Sequence, residues 1–164
     1  MMSWKSVAAT LSQRRRELLL ALGIVLATVL SFVIASGLHL AQPYWSVITA
    51  AIVARTTATG AVRSGFQRLL GTLAGAALGF FAALGRGSGL SDVVLLTLLV
   101  APLAVAAALR LELRAALVAG LIVFSTTAAP AAPAEAAMAR ILEVSLGAIV
   151  AALVSLGLAI VARQ

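Results

Sequence analysis

The segment "YWSVITAAIVARTTATGAV", Tyr44–Val62, is apolar only as far as Ala54; Arg55, Thr56 and Thr57 then interrupt it, and Gly60 follows. A helix crossing roughly 30 Å of hydrocarbon needs about 20 apolar residues, so the apolar part of this run is close to half the required length. Its surroundings decide what the interruption means. Of the 164 residues 63% are hydrophobic and 10% charged, with a mean hydropathy of +1.15. Those values lie far outside the range of a water-soluble domain of this size, so the broken segment belongs to an integral membrane protein.

Working outward, five further apolar runs appear: Leu18–Gly37, Leu69–Leu84, Val93–Leu109, Ala115–Ala129 and Ile141–Val161. They are rich in Ala and Leu and lack the period-two alternation of a barrel, which leaves α-helices as the spanning element. The expected fold is all-α and integral to the membrane, with six transmembrane helices. Residues 1–17 form a basic amino-terminal segment, and residues 18–164 form the membrane module. The first run is longer than a signal-peptide core and five more follow, so it is expected to remain as a span.

With six spans, Lys5, Arg14, Arg15, Arg16, Arg55, Arg63, Arg68, Arg110, Arg114 and Arg163 fall on one side, leaving only Arg86 and Arg140 of the 12 basic residues on the other. The positive-inside rule then places both termini in the cytoplasm.

A shift of 70 residues lays "TAAIVARTTA", Thr49–Ala58, on "AGLIVFSTTA", Ala119–Ala128, with identity at Ile52, Val53, Thr56, Thr57 and Ala58. A shift of 72 lays Arg68 and Gly75 on Arg140 and Gly147. Three spans per half make the second half inverted in the membrane. The chain is therefore expected to be two inverted three-helix repeats, about residues 18–84 and 90–163. In such folds, interrupted helices at corresponding positions point to a binding site. Arg55, Thr56 and Thr57, with their counterparts Ser125, Thr126 and Thr127, are the candidates for a shared substrate chamber.

Gly71, Gly75 and Gly79 recur every fourth residue in the third run, as do Gly147, Ala151 and Ser155 in the sixth. That spacing puts small residues on one helix face, where backbones can approach and gain dispersion contacts. These two helices are expected at the centre of the bundle. Tyr44 and Trp45 stand at a membrane interface, either as belt residues or as a stacking surface for an aromatic ligand. His39 and Gln42 read as solvated parts of the loop between the first two spans.

Arg55 has two readings: snorkelling to the cytoplasmic interface, or facing the interior and holding an anion through its planar fork of donors. Arg140 and Glu143, three apart on one helix face, read as a structural ion pair or as a proton-coupling pair. The absence of cysteine, with one histidine, argues against a thiolate or His-rich metal site, and no cofactor is expected. No nucleophile elbow or phosphate loop appears, so enzyme activity is not expected. The net charge of +7 sits at the edges of apolar runs rather than on a basic face, which argues against nucleic acid.

The stretch from Gln42 to Gly79 resembles the opening signature of the fusaric acid resistance family of aromatic acid exporter-like membrane proteins. The matching elements are Pro43-Tyr44-Trp45, Val47-Ile48-Thr49-Ala50, Gly60, Arg68 and Gly71-Thr72 with Gly75; "ARILEVSLGAIVAALV", through Arg140 and Gly147, resembles the closing helix. The resemblance implies a bacterial inner-membrane module of about six helices that exports small aromatic carboxylic acids, driven by the proton gradient. Relatives are often longer, with a second membrane module, which a homodimer or higher homo-oligomer would supply. The alternative is a non-transporting scaffold or partner subunit. The expected partners are the lipid bilayer, further copies of the chain and a small organic anion.

Overall fold

At Ala54 the backbone leaves the helix (φ −53°, ψ 131°) and at Thr57 it re-enters another, with the Thr57 hydroxyl accepting the N–H of Gly60 as an amino-terminal cap. The interruption seen in the sequence is thus a true helix break, and it shortens one helix while lengthening the next. The computed structural model describes residues 4–110, 113–126 and 132–162. In chain order the helices are α1 (Trp4–Gly37), α2 (Tyr44–Val53), α3 (Ala58–Leu84), α4 (Asp92–Leu109), α5 (Arg114–Ser125) and α6 (Ala132–Val161), with a short 3₁₀ turn over Gly85–Ser88. No strand occurs among the described residues.

Two expectations need correction. The second run does not continue as one helix to Val62. Residues 58–68 instead form the first turns of α3, which therefore starts eleven residues before Leu69, because Thr57 supplies the cap that starts it. Nor are all six helices long enough to span. Four segments are: Gln13–Gly37, Ala58–Ser88, Asp92–Leu109 and Pro133–Val161. With 10 residues, α2 rises about 15 Å, half of the roughly 30 Å hydrocarbon layer, and α5 with 12 is little longer. The fifth run likewise stops early, since Thr126 adopts an extended conformation (φ −77°, ψ 107°) at the end of α5.

The sequence of lengths is long, short, long, twice. α3 packs on α5, α6, α2 and α4, and α6 on α3, α2, α1 and α5, so both occupy the centre; α1 flanks α2, and α4 flanks α5. Exchanging α1 with α4, α2 with α5 and α3 with α6 returns the same set of neighbours. Small residues explain the tightest approaches. A Cβ at Gly75 would collide with the Ala116 carbonyl on α5, and one at Gly147 with the Ser46 carbonyl on α2. Gly79 faces Gly120 in the same way. Adding 70 to Ser46 gives Ala116, and adding 72 to Gly75 gives Gly147, so the two contacts are related by the shifts seen in the sequence.

α3 and α6 run antiparallel. Gly65, early in α3, meets Ala148, whereas Thr72, further along α3, shares a cavity with Arg140, nearer the start of α6. The buried core follows this seam in two clusters, one around Ala50, Val53 and Ala151, the other around Leu99, Leu103 and Ala116. Large apolar side chains such as Val25, Phe66, Phe81, Leu98 and Leu153 point outward, where lipid would solvate them.

Candidate functional site

The break between α2 and α3 is held from both sides. Arg55 donates its backbone N–H to the Ser155 hydroxyl on α6 at 3.2 Å, so Ser155 does more than allow close packing. The Arg55 guanidinium turns back over the end of α2, donating to the carbonyls of Ile52 and Ala54, and reaches Ser64 Oγ at 3.2 Å. A cation at a helix carboxyl end satisfies open carbonyls and complements the helix dipole. Arg55, Thr56 and Thr57 are all exposed.

Two clefts open beside this break. One, of about 460 Å³, is lined by Arg15, Arg16, Arg55, Thr56 and Thr57 with Leu158. The other, of about 420 Å³, lies between the ends of α2, α3 and α5 and gathers Arg55, Arg63, Arg68 and Arg114 with Ser64 and Gln67. Among the described residues no carboxylate lines either cleft. The second shares Arg68 and Ala115 with a small cavity deeper in the bundle, of about 10 Å³, the room of a single water.

The far wall of that cavity is a buried polar network. Arg140 is 3% exposed and Glu143 fully buried; Arg140 Nη1 and Glu143 Oε2 lie 3.1 Å apart, an ion-pair distance without hydrogen-bond alignment. Arg140 Nη2 donates to Gln42 Oε1 at 3.0 Å, and Trp45 Nε1 donates to the same oxygen at 2.9 Å. Glu143 Oε1 accepts the Gln42 backbone N–H at 2.7 Å. The Arg140 guanidinium stacks on the Trp45 ring at 4.4 Å, a cation–π contact. Gln42, expected to be solvated, is therefore the hub that ties the loop before α2 to α6. Its adjacency to Pro43-Tyr44-Trp45 gave no hint of the link to α6, because Arg140 and Glu143 lie about a hundred residues away.

Tyr44 is exposed and packs near Phe32, ring centroids 5.5 Å apart, apart from the Trp45 network. Ser125 is exposed in a separate cleft beside Arg86 and Phe124, where Arg86 stacks at 4.2 Å, and shares no lining residue with the clefts around Arg55. The Ser125 and Thr126 hydroxyls both bond back to the Ile122 carbonyl. Thr127 lies outside the described residues. Among the described residues, Arg55, Thr56 and Thr57 line no common cavity with Ser125 or Thr126. Instead Arg68 and Arg140 share the central cavity. In the sequence Arg68 stands out for orientation, for the repeat and as part of the family signature, not as a site residue; its correspondence to Arg140 is the available signal.

A helical membrane protein with two half-length helices, a basic cleft and a buried ion pair at its centre defines a polytopic membrane module. The fusaric acid resistance protein-like family matches residues 26–154, and the chain belongs to that family, which associates it with membrane transport and resistance. No curated protein and no solved structure matches the chain.

Proposed function

We propose that this protein is a transporter subunit for proton-coupled efflux of small amphipathic or aromatic organic acids across the bacterial inner membrane, working as a homodimer or higher homo-oligomer with both termini cytoplasmic. The observation that carries the reading is the arginine-lined cleft between the ends of α2, α3 and α5, which adjoins the central cavity and shares Arg68 and Ala115 with it. Four guanidinium groups, with no carboxylate among the described lining residues, attract anions and focus them towards the bundle. The positive-inside rule puts this mouth in the cytoplasm, where an exported acid would enter. Arg55 lines this mouth, Thr56 and Thr57 line the neighbouring cleft beside it, and Ser125 and Thr126 mark the opposite end.

Two inverted repeats give this arrangement a route to alternating access. The exchange of helix neighbours and the matched contacts Gly75 to Ala116 and Gly147 to Ser46 support that reading. Glu143 is the proton-carrying group. When it takes a proton, its charge no longer offsets Arg140, so proton occupancy and anion attraction meet at one buried pair.

The small volume of the central cavity favours a second reading, a non-transporting scaffold or partner subunit. Reconstitution separates the two. Protein in liposomes should carry phthalate, whose double charge suppresses leak through bare lipid, and Arg55→Ala and Glu143→Gln should each slow it. Flux equal in all three proteins would leave the scaffold reading.

A further inference from the structure

We infer that Arg68 and Arg140 form a buried carboxylate-binding site at the junction of α2, α3, α5 and α6, distinct from the rim at Arg55; the inference rests on the transport reading for its biological use. Both arginines line the central cavity, Arg68 about 15 Å along α3 and Arg140 about 12 Å along α6, approaching from opposite ends of antiparallel helices. Arg140 is almost wholly buried, yet among the described residues its Nε has no hydrogen-bond partner, and neither does the buried Nε of Arg68. Among the described residues no carboxylate lies within ion-pair distance of Arg68. Leaving buried guanidinium donors unpaired is costly, and one planar carboxylate with two acceptor oxygens can satisfy donors from both sides.

The lining carries a second, independent argument. Under the shifts of 72 and 70 residues, Arg68 corresponds to Arg140, Thr72 to Val144 and Trp45 to Ala115, and all six line this one cavity. The cavity therefore sits where the two halves meet, the position at which repeat-built carriers hold their solutes. The pairs also differ in chemistry. Trp45 has Ala115 as its counterpart and Thr72 has Val144, so only one half offers a ring, and a carboxylate between the cations would place an aromatic body along Trp45. Because the cavity has the volume of about one water, binding must widen it, and half-buried Arg68, which also lines the open cleft, is placed to swing with the entering anion.

Trp45 provides the readout. With Trp4→Phe, it is the single tryptophan of the chain, and its fluorescence in detergent should change saturably on titration with benzoate but not with the neutral isostere benzamide. Arg68→Gln should weaken benzoate binding by about tenfold or more, as loss of a charge-assisted hydrogen bond predicts. Arg68→Lys, which keeps the charge without the fork, should weaken it less, and serves if the Gln variant does not fold. Native protein that does not bind benzoate, benzamide that binds as well, or folded Arg68 variants that bind like native would each overturn the site. Arg68-dependent binding in a protein that moves no phthalate keeps the site and removes the transport reading. Phthalate flux unaffected by Arg68 substitution does the reverse.

Discussion

Glu143 Oε1 accepts the backbone N–H of Gln42, 101 residues earlier, at 2.7 Å, and this bond fixes the loop before α2 against the middle of the bundle. Because Gln42 also receives Arg140 and Trp45 on its side-chain oxygen, three side chains from two helices converge on one residue. A buried ion pair is poor value for stability against an apolar replacement, but removing one partner strands a charge.

Arg140→Gln alone should therefore destabilise the protein by about 3–5 kcal/mol, whereas adding Glu143→Gln should restore a large part of that loss. Unfolding of single and double variants in detergent mixtures measures the coupling. Additive losses would mean that the two side chains do not act as a pair.

The close helix approaches predict a graded glycine series. Gly75→Ala and Gly147→Ala should each cost about 1–3 kcal/mol, since the added methyl meets backbone carbonyls on α5 and α2. Gly157→Ala, with nothing within 4 Å, should be neutral or slightly stabilising through helix propensity. Thermal unfolding of the three variants gives the ranking, and equal losses at all three would contradict the packing.

The chain contains no cysteine, so single-cysteine labelling is unambiguous. Thr56→Cys at the α2–α3 break should react with a membrane-impermeant maleimide only from the cytoplasmic face, and Ser88→Cys in the 3₁₀ turn only from the outer face. Labelling of both from one side would reverse the order of crossings on which the inverted arrangement depends.

Much of the architecture was legible because its causes are local. Apolar runs, the Gly71-Gly75-Gly79 face and the Arg55-Thr56-Thr57 interruption each announce themselves within a few residues, and α4 begins and ends within one residue of its expected bounds. What stayed hidden was long-range. Nothing near Thr57 shows that its hydroxyl starts a 27-residue helix instead of ending a span, since capping and continued apolar helix compete at similar energies there. Gln42 and Arg68 were also illegible as site residues, because Gln42 takes its meaning from Arg140 and Glu143, and Arg68 from the cavity it shares with Arg140. Ser155 was read as packing alone, and its bond to Arg55 depends on the break lying beside α6.

Removing Arg55 tests the rim separately from the fold. Its guanidinium is exposed and caps α2, so Arg55→Ala should cost only about 1 kcal/mol of stability, within the range of a lost helix-end interaction. It should nevertheless slow anion entry markedly, and more so at low ionic strength, where the cleft's field is least screened. Initial rates of phthalate flux against salt concentration measure this; a salt dependence identical to native would exclude Arg55 from the mouth.

The most direct measurement of the central claim is phthalate movement in proteoliposomes under an imposed pH gradient, with protein-free vesicles run in parallel. The account predicts saturable flux that rises with the gradient in the native protein and loses its gradient dependence in Glu143→Gln. Native proteoliposomes that retain phthalate as protein-free vesicles do, with or without the gradient, would contradict it.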